Sequence, residues 1–263
     1  MNEKAGPDIE HDPQSFVRSL ARGLAVIEAL GRPPGRHTLA ELAAASSLNR
    51  AVARRILLTL VELGYCTVDG RYYQLTPLTL SLGLSYARSL PFWGYAQQVL
   101  EEVRAEINES CAMAVLNVPD IVYILRLPAR RILPTNLAIG SRLPAFAVSL
   151  GRVMLAHLSD AELEEYLRNS ERQAFTPSTL TGDAELRAEL ARVKEQGYAW
   201  IDAELDPAIS GIAVPVRDQR NRVMAALSAN FVAGSIDEER AKAEILAHLR
   251  RAAADIRANM PPS

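Results

Sequence analysis

The stretch from Thr38 to Leu75, TLAELAAASSLNRAVARRILLTLVELGYCTVDGRYYQL, constrains this chain more than any other. Thr38, with Glu41 three residues later, has the form of a capping box. The helix it opens packs Leu39, Leu42 and Ala43 and ends near Ser46-Ser47. Asn49 caps the next helix, which runs to about Leu63, and Gly64 stops it. Tyr65-Cys66-Thr67-Val68 and Arg71-Tyr72-Tyr73-Gln74-Leu75 then form a hairpin around a turn at Asp69-Gly70. Two short helices with a tight connection, followed by a hairpin, predict a winged helix-turn-helix, a unit that sets one helix in the major groove of double-stranded DNA.

Angular positions on the second helix bear on this reading. At ~100° per residue, Val52, Ile56, Leu60 and Leu63 fall within ~80° of one another, and Ala53 and Leu57 widen that stripe to ~140°. Arg50, Ala51, Arg54 and Arg55 take the opposite arc, in the half of the helix that reaches base edges. Asn49, Arg50, Ala51, Arg54 and Arg55 are therefore the candidate DNA contacts, with Arg71 at the hairpin tip for phosphate. A solvated basic face on a structural helix is the competing reading. The chain carries a net charge of −2, yet residues 15–90 hold nine arginines against four acids, a local balance of +5. The basic excess lies where phosphate contacts need it.

The 263 residues suffice for one large or two modest domains. Residues 1–14 form a polar tail with Pro7 and Pro13. Ser15 is placed to cap a helix whose stripe is Val17, Leu20, Leu24, Ile27 and Leu30, broken by Arg32-Pro33-Pro34-Gly35. We take 15–76 as the DNA-binding domain and 77–91 as a linker helix. Leu78, Leu82 and Tyr86 form one apolar side of that helix, and Leu80, Leu84 and Ala87 a second. Two apolar sides fit either dimerisation or packing on its own domain. Residues 92–258 read as a helix (94–109), strands at 112–117 and 121–127, an irregular apolar segment, and a helix from Ser149 to about Leu158. Helices at 160–168 and 183–196 follow, then strands at 197–202, 211–217 and 222–229, and a closing helix from Asp237 to Ala258. Residues 259–263 are a tail. Antiparallel strands flanked by helices make this an α+β region.

Several function classes lack support. Cys66 and Cys111 form no CxxC pair, which favours a reducing cytoplasm over disulfides or zinc. The four histidines, at 11, 37, 157 and 248, lack metal-ligand spacing. No apolar run is long enough to span a membrane, and the N-terminus does not read as a signal peptide. GxGxxG, GxxxxGK[ST] and GxSxG are absent. We expect no cofactor, no metal and no catalytic residue. One alternative stays open: Asp202, Glu204 and Asp206 alternate at a strand end, so Asp202 with Glu204 is a conceivable acid/base pair of a small-molecule enzyme.

FVRSLARGLAVIEAL, NRAVARRILLTLVELGY, DGRYYQLTP, DIVYILRLP, SLGRVMLA, QGYAWIDAELD and IAVPVRD, in this order, resemble the IclR family of bacterial transcription regulators. The likeness spans about residues 15–258 and is strongest to its protocatechuate and β-ketoadipate branch. It implies an N-terminal winged helix-turn-helix, a linker helix, and a C-terminal effector domain of GAF/PAS type. It further implies homodimers or tetramers and a small organic acid effector, aromatic or dicarboxylic, that controls an aromatic-catabolism operon. A ligand-independent DNA-binding dimer is the third reading.

Carried over by the resemblance, the effector contacts fall at Ser149, Leu150, Asp202, Gly211, Ser228 and Asn230. The branch more usually has Ser at the position of Gly211. It often has a Ser-x-Ser pair where this chain has Ser228 and Asn230. Pro207, Ala208 and Ser210 are further departures. Chemistry adds its own candidates. A carboxylate ligand calls for donors at the start of the Ser149 helix and a cation, for which Arg126, Arg142 and Arg152 are the candidates. Met113, Val115 and Leu150 are candidates for apolar walls.

Overall fold

A computed structural model describes residues 16–32, 35–129 and 137–261. The expected tail at 1–14, the Ser15 cap, the Pro33-Pro34 break and the last two residues lie outside the described residues. The chain divides into two compact units, residues 1–86 and 87–263.

The first unit contains α1 (Arg18–Leu30), β1 (His37–Thr38), α2 (Leu39–Ala45), α3 (Arg50–Glu62), β2 (Cys66–Asp69) and β3 (Tyr72–Leu75). Both halves of the Thr38–Glu41 capping box are present. Asn49 Oδ1 accepts the Val52 N–H at 2.9 Å, the cap expected for α3. Gly64, at φ +81°, closes that helix, and Tyr65 N–H returns to the Leu60 carbonyl at 2.9 Å. Val26, Leu30, Leu42, Leu57, Leu60 and Cys66 form the core.

Three details depart from the sequence reading. The buried face of α3 is centred on Ala53, Leu57 and Leu60, while Leu63 is exposed and Val52 and Ile56 are half-buried. Asp69 pairs with Tyr72, so the hairpin loop is Gly70-Arg71, one residue later than expected. Only Gly70 of these two has positive φ, at +57°; glycine first is the type II′ arrangement. The hairpin also gains a third strand, because β1 pairs with β3. A 3-10 turn (Pro77–Thr79) leads into α4 (Leu80–Ser89).

The second unit is one six-stranded antiparallel sheet in the order β6-β5-β4-β9-β8-β7. Its strands are β4 (Ser110–Asn117), β5 (Asp120–Leu127), β6 (Arg142–Pro144), β7 (Ala199–Asp202), β8 (Ile209–Arg217) and β9 (Val223–Val232). α5 (Trp93–Ile107) and α10 (Leu246–Ala258) pack on one face, and α6 (Ser149–Leu155), α7 (Asp160–Asn169) and α8 (Asp183–Gln196) on the other. Strand alternation divides β4 between the two cores: Cys111, Met113 and Val115 face the first layer, Ala112 and Ala114 the second.

The segment expected to be irregular contains β6 and a 3-10 turn, Ala145–Ala147. α6 stops at Leu155, short of Leu158. The expected closing helix is two, α9 (Glu238–Glu244) and α10, interrupted at Ile245. α6 lies so close to the Ala145–Ala147 turn that a Cβ on Gly151 would stand 2.1 Å from the Ala145 carbonyl oxygen. Among the described residues, no helix is long and apolar enough to cross a membrane.

Candidate functional site

A cleft opens in the second unit between the α6 face of the sheet, the start of α6 and the segment after β7. Arg126, Tyr123, Ser110, Asn230 and Gly211 line it from the sheet. Val148, Ser149 and Leu150 line it from the α6 side, Leu205 and Asp206 from the β7–β8 connection, and Ile209 from the start of β8. Its open space is about 600 Å³, the solvent at the mouth included.

Register explains which side chains converge. Ser110 pairs with Asn230 and Asn230 with Gly211, so these three form one cross-strand row. Arg126 pairs with Ala112, Ala112 with Ser228, and Ser228 with Ala213, which makes the adjacent row. Regular alternation would place Tyr123, three residues before Arg126, on the opposite face. A bulge between Met113 and Ala114 pairs Ala114 with Tyr123 and skips Ile124, so both side chains reach the cleft. Burial pushes the Tyr123 phenol up to about 12, which keeps it neutral.

Of the residues expected at the effector site, the cleft brings together Arg126, Ser149, Leu150, Gly211 and Asn230. Ser228 is buried behind Asn230 and accepts its Nδ2–H at 3.0 Å. Five others do not line the cleft. Met113 faces the other core, because alternation on β4 turns it away, and Val115 goes with it. Arg142 sits at the sheet edge and donates to Asp120 at 3.0 Å. Arg152 is 1% exposed; it donates to the Phe146 carbonyl at 2.9 Å and through both Nη atoms to the Glu204 carboxylate. Asp202, exposed at the end of β7, accepts the Ser210 hydroxyl.

The proposed alternation of Asp202 and Glu204 also fails. Ala203 takes a left-handed conformation, φ +53°, so the two carboxylates diverge. Glu204 is buried and held by Arg152 and the Leu180 N–H. Sequence reasoning missed Tyr123, Ser110, Leu205 and Ile209 as lining residues. Among the described residues, no cluster of three or more His, Cys, Asp or Glu side chains is placed to hold a metal.

In the first unit, Asn49, Arg50, Ala51, Arg54 and Arg55 are all exposed on α3. Arg71 lies at the hairpin tip, its guanidinium 5.1 Å from the centroid of the Tyr72 ring. Among the described residues Arg50, Arg54 and Arg55 have no carboxylate partner, whereas Arg187, Arg192, Arg240 and Arg251 of the second unit are all paired.

Comparison with known proteins covers both units. A family model described as the IclR helix-turn-helix domain matches residues 19–70, and one described as the bacterial transcriptional regulator IclR C-terminal domain matches residues 84–258. The chain is 38% identical over 246 residues to the Pca regulon regulatory protein of Pseudomonas putida, covering 93% of this chain and 84% of that protein. It is 29% identical over 249 residues to the p-hydroxybenzoate hydroxylase transcriptional activator of Acinetobacter baylyi, covering 93% and 92%. Among solved structures it is similar to an IclR homolog from Microbacterium hydrocarbonoxydans complexed with 4-hydroxybenzoate. That likeness has a TM-score of 0.81 and 26% identity, over 92% of this chain and 98% of the other.

Proposed function

The chain belongs to the IclR family of DNA-binding transcriptional regulators, and from that premise we propose that a small organic acid bound in the sheet cleft controls its hold on an operator of an aromatic-catabolism operon. The names of its relatives support the pathway. The cleft supports the ligand class. Arg126 offers charge-assisted donation to a carboxylate, and leucine and isoleucine walls take a hydrocarbon body. We read residues 15–76 as the DNA-binding domain, 77–91 as a linker helix and 92–258 as the effector domain.

The observation that carries the DNA-binding assignment to particular residues is the α3 face. Asn49, Arg50, Ala51, Arg54 and Arg55 stand exposed at the capped end of α3, and its arginines lack carboxylate partners among the described residues. In the complex, Asn49 and Ala51 lie near base edges, the α3 arginines on bases or phosphates, and Arg71 on phosphate.

The apolar surface of the first unit supports assembly. Leu20 and Leu24 of α1, 62% and 50% exposed, border a groove with Val52, Ile56, Leu63 and Leu82. A second copy covers this face in a homodimer, and pairs of dimers give a tetramer. The protein acts as a cytoplasmic switch and not as an enzyme. The buried Arg152–Glu204 pair supports that reading, because it removes the one carboxylate couple that invited a catalytic role.

A thermal-shift series with aromatic and dicarboxylic acids on the full-length protein tests the effector assignment. A ligand at 100 times its Kd stabilises the native state by about 2.7 kcal/mol; no shift with any acid contradicts it.

A further inference from the structure

We infer that α3 reads thymine through its 5-methyl group, with Ala51 and Leu58 forming an apolar line between flanking arginines that touches it. The inference rests on α3 being the DNA-binding face and names what that face reads.

Exposure along α3 comes first. Leu57 and Leu60 fill the core of the first unit, yet Leu58 beside them is 44% exposed. Leu63 is exposed as well, but it borders the apolar groove shared with α1; Leu58 does not line that groove. At ~100° per residue, with Arg50 at zero, Arg54 stands at ~40°, Leu58 at ~80°, Ala51 at ~100° and Arg55 at ~140°. All five are exposed. The two apolar residues thus occupy the middle of the face, with Arg50 and Arg54 on one side and Arg55 on the other. A lone surface leucine needs no explanation; one centred among three arginines of a recognition helix lies where base edges come.

The polar groups nearby are already engaged. Asn49 Oδ1 accepts the Val52 N–H at 2.9 Å, so the acceptor arm that adenine's amino group needs is tied to the helix. The Thr59 hydroxyl donates to the Arg55 carbonyl at 3.1 Å. The arginines suit guanine, through O6 and N7. An A·T pair is then recognised by the methyl group that thymine alone carries into the major groove, whose partners are apolar side chains.

Helix geometry sets the spacing. Ala51 and Leu58 are seven residues apart, ~10 Å along the axis, or about three base-pair steps. The Leu58 side chain leans back toward the start of the helix, which shortens that interval. Ala51 has no side chain beyond Cβ, so the capped end of α3 approaches the base edges closely. Two thymines, two or three base pairs apart, are the targets that match this line.

Fluorescence anisotropy of the full-length protein on a fragment it selects from random duplex DNA tests this. Each thymine of a half-site is replaced in turn by deoxyuridine, which keeps the pairing and loses only the methyl. Wild type is expected to lose about fourfold in affinity, the worth of burying one methyl-sized group, at one thymine under Ala51 and a second under Leu58. The loss should not vary with salt, because no charge is removed. Ala51→Gly should abolish the difference between thymine and deoxyuridine at the first, and Leu58→Ala at the second, so either variant carries the test if the other fails to fold. Fewer than two sensitive thymines, or an unchanged ratio in the variants, overturns the inference while leaving the arginines as DNA contacts. If Arg54→Ala also binds as wild type does at every salt concentration, both readings fall.

Discussion

Arg152 presents both Nη atoms to the two carboxylate oxygens of Glu204, and the pair is closed off from solvent. Its position gives it work in the cleft without touching a ligand. Arg152 follows the lining residues Ser149 and Leu150 on α6, and Glu204 precedes the lining residues Leu205 and Asp206. The Glu204 carbonyl also accepts the Thr179 hydroxyl at 2.6 Å. One ion pair thus fixes two walls. Removing one partner leaves a buried charge, so Arg152→Met alone should cost about 3–5 kcal/mol of stability. Arg152→Met with Glu204→Leu should recover most of that loss. Urea unfolding of both variants checks this; equal damage from single and double changes would deny the pair its role.

Gly151 is needed for a different reason. Its absent Cβ would overlap the Ala145 carbonyl, which is backbone and cannot rotate away. Gly151→Ala is expected to destabilise by about 1–3 kcal/mol or more, whereas Gly83→Ala, with nothing within 4 Å, should not. Thermal melts of the two variants separate the cases.

Much of this architecture is legible in the sequence, for local reasons. Thr38, Glu41 and Asn49 announce helix starts because a side chain meets the backbone within three residues. Leu78 to Tyr86 is legible by period. What was hidden depends on partners distant in sequence. β1 and β6 are two and three residues long and exist only through pairing with β3 and β5. Tyr123 reaches the cleft through a bulge that no alternation rule foresees. Arg152 looked like a ligand contact because its partner, Glu204, lies 52 residues away. Leu63 looked buried because an apolar stripe does not reveal which part faces the unit's own core.

His157 links acidity to stability. Its Nδ1 donates to the Val153 carbonyl at 2.8 Å, and Nε2 accepts from Arg217. Burial lowers its pKa below 6.5; the Val153 carbonyl opposes this, and the positive charges of Arg217 and Lys194 add to the lowering. The unfolded chain therefore binds the proton first. The contribution is fully present above about 6.5, the ordinary His value, and is lost as pH falls below it toward the lowered folded value. Urea midpoints from pH 5 to 8 should decline on the acid side, and His157→Gln should flatten that decline. Identical slopes would exclude this residue.

The exposed leucines of α1 predict assembly. Leu20→Glu with Leu24→Glu places charges in the apolar groove beside Ile56 and Leu63. Light scattering should show a smaller species than wild type, with the helical circular dichroism retained. An unchanged mass would place the interface elsewhere.

The central claim is that the α3 arginines hold DNA. Its most direct test is fluorescence anisotropy of the full-length wild type and Arg54→Ala on an operator fragment selected by the wild type, across a series of salt concentrations. The wild-type log affinity should fall linearly with log salt, and Arg54→Ala should weaken binding by about 1–3 kcal/mol if it reads a base, or lower the salt slope by about one if it holds a phosphate. Unchanged affinity and slope in the variant, or wild-type binding indifferent to salt, would contradict the account.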